Sequence, residues 1–124
     1  MFQSANFITL KDGVLYYKDK NRLIFCWQEK EYFSVPQSVK VIEPFAFCLQ
    51  KNLQNIELHN DIVSIGNAAF MGCEALEHIA IPRSVMEIKS DTFDGCISLK
   101  NVELHDEITQ IGRHAFRHCD ALQK

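Results

Sequence analysis

Residues 79–99 read I-A-I-P-R-S-V-M-E-I-K-S-D-T-F-D-G-C-I-S-L, and the same register of apolar positions returns every 23 residues on either side of them. Phe47, Phe70, Phe93 and Phe116 follow one another at that interval, as do Cys73, Cys96 and Cys119. Leu53, Leu76, Leu99 and Leu122 form another column, and Phe33, Ile56, Ile79 and Val102 a third. The register extends through Val35, Leu58, Ile81 and Leu104, then Val39, Ile62, Val85 and Ile108, then Ile42, Ile65, Ile88 and Ile111. A fixed period of this size marks a repeat architecture, whose units bury their apolar faces only by stacking on neighbours. Four units cover residues 32–124.

Within a unit, Ile56-Glu57-Leu58 alternates apolar and polar, the period of two that marks a half-buried strand. Such a strand pairs with its own copy one repeat later, so the sheet is parallel and each apolar column becomes a buried ladder with rungs ~4.8 Å apart. A second, shorter strand is expected at Ile62 to Ile65. The segment Asn67 to Gly72 (N-A-A-F-M-G) reads as one helical turn on the opposite side, with Asn67 or Asp91 at its start and glycine at its end.

With these columns in place, the chain resembles the BspA-like, or treponemal-type, leucine-rich repeat family. The I-P-x-x-V step, the cysteine after A-F-x-x and the 23-residue period carry the resemblance, over about three quarters of the chain. Asp12 to Ile24 (D-G-V-L-Y-Y-K-D-K-N-R-L-I) is similar to the non-repeat β-segment that accompanies such repeats. Departures are Gln50 in place of the first cysteine, and His59 and His105 in place of proline in two units. The fold expected is an α/β leucine-rich-repeat solenoid with parallel strand ladders and short helical turns. Residues 1–31 form a small antiparallel β cap on the repeats of 32–124, in one compact domain. The resemblance also implies a surface protein of bacteria or protists, bound to host or matrix proteins such as fibronectin, or to other cells.

The two ends carry separate expectations. Phe7 to Leu10, Val14 to Tyr17 and Arg22 to Trp27 read as three strands of a meander, turned at Asp12-Gly13 and at Lys18 to Asn21, with Phe25 and Trp27 in the cap. At the other end Ile108, Ile111, Phe116 and Leu122 belong to a coil with no successor in this sequence. That leaves an apolar edge which either continues into a longer array or pairs with another chain as a homo-oligomer.

Composition narrows the function. Thirteen basic and sixteen acidic residues give a net charge of -3, unlike the electropositive footprint of a nucleic-acid binder. Apolar runs such as Leu23 to Trp27 reach about five residues, far short of the ~20 of a spanning helix, so membrane insertion is not expected. Met1 to Leu10 lacks the basic start and apolar stretch of a signal peptide, which stands against secretion of the chain as written.

Chemistry is sparse. The cysteines lie in apolar columns rather than C-x-x-C pairs, and read as buried, inert thiols; Cys48, out of register, reads as more exposed. His114 and His118 are spaced to share a metal, but no third ligand is placed. One period earlier, Asp91 faces His114 and Asp94 faces Arg117, so these side chains read as ion pairs between coils. With no glycine-rich phosphate loop and no nucleophile with its base, neither an enzyme nor a cofactor is expected. What remains is the solvent side of the longer strands. There Asn55, Glu57, His59, His78, Asn101, Glu103 and His105 are the candidate protein-binding residues.

Overall fold

The computed structural model describes residues 8–17 and 19–122. The chain begins with an antiparallel meander of β1 (Ile8–Lys11), β2 (Val14–Tyr17) and β3 (Arg22–Cys26). Each coil then contributes a longer and a shorter strand: β4 (Tyr32–Ser34) and β5 (Val41–Ile42), β6 (Asn55–Glu57) and β7 (Ser64–Ile65), β8 (His78–Ala80) and β9 (Glu87–Ile88), β10 (Asn101–Glu103) and β11 (Gln110–Ile111).

Pairing follows the repeat. The longer strands form a parallel sheet in the order β10-β8-β6-β4, in which Tyr32 faces Asn55, Asn55 faces His78 and His78 faces Asn101. The shorter strands pair in the same sense, Ile42 with Ile65 and Ile88 with Ile111, and their ladder breaks between β7 and β9. β3 leaves the meander to run parallel to β5, with Leu23 opposite Ile42. The cap thus supplies the rung beneath the first coil.

Asp12-Gly13 is a two-residue turn with both φ angles positive (52° and 78°), the condition of the tight hairpin turn that matches strand twist. The first strand runs to Lys11, one residue past its expected end, and Phe7 and Lys18 lie outside the described residues. Trp27 corrects the reading of the cap. Strand β3 stops at Cys26, and the indole is 53% exposed, edge-on to Phe25 at 5.1 Å. Val14, Tyr16, Leu23 and Cys26 form the buried side instead.

The interior is a set of one-residue-per-coil columns. Phe47, Phe70 and Phe93 are fully buried, and the rings of Phe47 through Phe116 stack nearly parallel with centroids 5.2–5.6 Å apart. That spacing is close to the strand rung, so one backbone repeat brings each ring into contact with the next. Leu53, Leu76 and Leu99, and Ile42, Ile65 and Ile88, fill the space beside the stack.

The expected helical turns do not form, and among the described residues the regular structure is all strand. The residues around each phenylalanine instead make consecutive turns: Ala69 N–H to Gly66 O, Met71 to Ala68, Cys73 to Phe70. Two residues per coil, on either side of the phenylalanine, have φ between 57° and 81°: Phe45 and Leu49, Ala68 and Gly72, Asp91 and Gly95, His114 and His118. Positive φ at the third position is what a type II turn requires and what a right-handed helix excludes. The remaining N–H groups reach forward to the next coil. Phe47 donates to Ala69 O, Phe70 to Thr92 O and Phe93 to Ala115 O, with Phe45, Leu49, Ala68, Gly72, Asp91 and Gly95 donating in the same direction. Helical N–H groups would point back along their own segment; here the stacked neighbour takes the donors, which favours the turn conformation.

Gly66 packs so closely on the coil before it that a Cβ would lie 2.4 Å from Pro44 N. Only glycine fits that contact.

Candidate functional site

The outward side chains of β4, β6, β8 and β10 form the candidate face. Strand alternation turns Ile56 and Ile79 into the core and leaves Asn55, Glu57, Asn101 and Glu103 exposed, with His78 half-buried. Two diagonal couples order this surface. The Tyr32 hydroxyl donates to Glu57 Oε1 at 2.6 Å, with Ser34 Oγ at 3.5 Å from the same oxygen. One pair of coils further on, His78 Nε2 lies 3.2 Å from Glu103 Oε2. Between the two glutamates the outward residue is Ala80, and the sheet surface there sinks into a depression of about 520 Å³. Tyr32, Asn55, Ile56, Leu58 and His78 line it together with Ala80 and Glu57. The break of the Ser34, Glu57, Ala80, Glu103 column at an alanine was its sequence signal.

His59 and His105 are positioned differently from the other five candidates. His59 Nδ1 accepts from the Asp61 N–H at 3.2 Å, so the ring proton sits on Nε2, 2.8 Å from Pro36 O. His105 repeats the arrangement, accepting from Glu107 N–H and facing Val85 O at 2.8 Å. Both rings are half-buried and their nitrogens are engaged in holding the turn that proline begins in the units of Pro36 and Pro82. They shape the border of the face rather than projecting from it.

At the last coil, Ile111 is 55% exposed, whereas Ile108, Phe116 and Leu122 pack partly against the core. Leu104 is also exposed. The N–H groups of His114, Phe116 and His118, which occupy the forward-donating positions, have no acceptor among the described residues.

The thiols lie along one side of the phenylalanine stack. Cys73 Sγ–H donates to Phe47 O at 3.0 Å, Cys96 to Phe70 O at 3.1 Å and Cys119 to Phe93 O at 3.1 Å. Gln50 takes the same role in the first coil, donating through Nε2 to Cys26 O. Burial pushes the Cys96 thiol up to about 12 and the Cys119 thiol to about 11, so neither is a nucleophile at neutral pH. Cys48 is half-buried, and burial raises its thiol as well.

His114 and His118 each turn to a carboxylate one coil back: His114 Nδ1 is 3.6 Å from Asp91 Oδ1, and His118 Nδ1 is 3.5 Å from Asp94 Oδ1. Arg117 clasps Asp94 with both Nε and Nη2, the latter at 2.7 Å. The ion pair of Asp94 with Arg117 expected from the period is therefore present, and His114 stands against Asp91 as the period places it. Among the described residues no group of three or more histidine, cysteine or acidic side chains is arranged to hold a metal ion. The same residues include no helix long and apolar enough to cross a membrane.

A second depression, of about 440 Å³, lies beside the cap. Phe25, Cys26, Trp27, Cys48, Leu49 and Gln50 contribute to its walls. Its sequence signal was the bulk of Leu49, where the next two coils carry Gly72 and Gly95.

Comparison with known proteins agrees with the geometry. The chain is similar over 98% of its length to the pneumococcal vaccine antigen PcpA, at 28% identity and a TM-score of 0.89. It spans about a third of that structure, 31% of the chain. A leucine rich cell surface protein of Faecalibacterium prausnitzii matches over 94% of this chain and 38% of its own, with 28% identity and a TM-score of 0.67. A leucine-rich repeat protein of Bacteroides ovatus, 21% identical, shares the fold over 82% of this chain and 35% of its own at a TM-score of 0.66. A search of curated proteins found no match. The pattern described as BspA type leucine rich repeat region fits residues 21–124 in six copies, beginning at β3 where the cap joins the short ladder. On that match and on the stacked 23-residue coils, the chain belongs to the BspA-type leucine-rich repeat family.

Proposed function

We propose that the chain is a non-enzymatic protein-binding module that acts in adhesion at a cell surface and recognises a host or matrix protein through β4, β6, β8 and β10. The observation that carries this reading is the parallel sheet itself. Asn55, Glu57, His78, Asn101 and Glu103 stand at one-rung spacing on strands whose other side is locked into the phenylalanine stack. Side chains held this way lose little freedom on binding, so contact energy is retained as affinity. The surface location named for the Faecalibacterium protein supports the compartment. The test is binding of the purified chain to a panel of matrix proteins including fibronectin, beside the triple variant Glu57→Ala, His78→Ala, Glu103→Ala. Binding that the variant loses supports the reading; equal binding by both places recognition elsewhere.

A second reading, a scaffold that self-associates through the last coil, is favoured by the exposed Ile111 and Leu104. Its measure is a mass that rises with concentration and falls back when Ile111 is replaced by lysine.

A further inference from the structure

Glu57 and Glu103 stand two rungs apart in one outward column, roughly 10 Å along the sheet, and only the methyl group of Ala80 lies between them. Each carboxylate is anchored through one oxygen, Glu57 Oε1 by Tyr32 and Ser34 and Glu103 Oε2 by His78. Among the described residues, the other oxygen of each, Glu57 Oε2 and Glu103 Oε1, has no side-chain partner. The floor of the depression at Ala80 is different in kind. Ile56, which is 5% exposed, half-buried Leu58 and Ala80 give it apolar lining, Glu57 is its acidic residue beside Tyr32, Asn55 and His78, and Glu103 stands one rung beyond, opposite Ala80. Glu31 and Glu77, exposed just before β4 and β8, add negative charge near these strands, and Lys100, exposed just before β10, adds a positive one.

An apolar floor within an anionic border matches a side chain with an aliphatic stem and a cationic head. The half-exposed ring of Tyr32 offers a π face at the border, which a planar guanidinium uses better than an ammonium. Charge complementarity therefore selects the occupant. On the reading that the strand face is the binding surface, we infer that the notch at Ala80 receives a basic side chain, arginine before lysine, of a protein partner lying across β4, β6, β8 and β10. The cation sits between two carboxylates each already held by a neighbour, so its entry offsets their repulsion with little new ordering.

The test is titration of the full ¹⁵N-labelled chain with acetyl-Gly-Arg-Gly-amide, beside the lysine peptide and the peptide carrying citrulline, the neutral isostere of arginine. The expected result is a saturable shift at the amides of Glu57, His78, Ala80 and Glu103, smaller with lysine and absent with citrulline. Glu103→Gln removes charge and keeps an amide able to face His78; Ala80→Leu fills the notch and keeps both charges. Each is expected to weaken binding roughly fivefold or more. Shifts spread equally over distant carboxylates such as Asp61 and Asp120, no saturable shift at all, or an Ala80→Leu variant that binds as well as the parent overturn the inference. Failure here is distinguishable from failure of the strand-face reading. A matrix partner lost by the triple alanine variant but not displaced by the arginine peptide keeps the face and removes its basic occupant.

Discussion

Cys96 donates its thiol hydrogen to the carbonyl oxygen of Phe70, 3.1 Å away in the preceding coil, and both side chains are fully buried. Cys73 and Phe47 repeat the contact one coil earlier. Since burial holds Cys96 near 12 and raises Cys73 well above the ordinary thiol value, alkylation at pH 8.5 is expected to reach Cys48 first and to leave Cys73 and Cys96 unmodified until the chain unfolds. Mass spectrometry of native and urea-treated protein reads the order directly. Native labelling of Cys96 as fast as Cys48 contradicts the buried ladder.

Asp94 binds Arg117 from the coil after its own, and the guanidinium, aided by His118, holds its carboxyl below the ordinary value of 3.8. A folded-state pKa below the unfolded one adds stability that is complete above about pH 4 and is lost as acid protonates the folded carboxyl. The urea midpoint of the parent is expected to fall below about pH 4 by more than that of Asp94→Asn, which keeps the shape and lacks the titration. Parallel pH profiles for the two remove Asp94 from the acid response.

Leu49 has φ of 61° and is 65% exposed, while its counterparts one and two coils on are Gly72 and Gly95. Left-handed backbone costs a side-chain-bearing residue roughly 1–2 kcal/mol. Leu49→Gly removes that cost but loosens the unfolded chain, for a net change expected within about 1 kcal/mol. Gly66→Ala is expected to cost several times more, because its Cβ meets the backbone of Pro44. Equilibrium urea unfolding of the pair gives the comparison, and a tolerated alanine at 66 contradicts the close packing.

His59 stands where two other coils carry proline and spends both ring nitrogens on the turn. His59→Pro is expected to fold with stability within about 1 kcal/mol of the parent, the stiffer unfolded chain offsetting the lost bonds. His59→Ala, with neither compensation, is expected to lose about 1 kcal/mol or more. Because the ring is turned to the backbone, neither change is expected to alter binding at the strand face.

Trp27, at 53% exposure, is expected to emit at the wavelength of a hydrated indole and to be quenched by acrylamide in the native state. A blue-shifted, protected spectrum contradicts its placement outside the cap.

Columns that repeat an apolar residue were legible from sequence, because a parallel ladder makes the 23-residue interval a direct contact: Phe70 on Phe93, Ile42 on Ile65. The Asp94 and Arg117 pair was legible for the same reason. The turn from Asn67 to Gly72 was not. Its composition suits a helix locally, and only the acceptors offered by the neighbouring coil, with left-handed Ala68 and Gly72, decide against one. His59 and His105 looked like projecting side chains because their column also holds two prolines; that they take over the turn-forming role of proline depends on ring contacts that no spacing encodes. Trp27 was misplaced because hydrophobicity alone does not say on which side of β3 a residue leaves the strand.

The forward-running N–H groups of the turn ladder make the solenoid directional, as a magnet is. From Phe45 through Gly95 each of these donors points toward the last coil and each matching carbonyl, Asn67 O through Arg117 O, points toward the first. One pole of this ladder presents His114, Phe116 and His118 N–H; at the other, Ala46 O is already occupied by the N–H of Cys26. Two copies brought together last coil to last coil would set donor against donor, so a symmetric dimer cannot be closed by this ladder. Any chain that extends the stack beyond the last coil must meet this ladder with carbonyls, so growth there has one permitted sense.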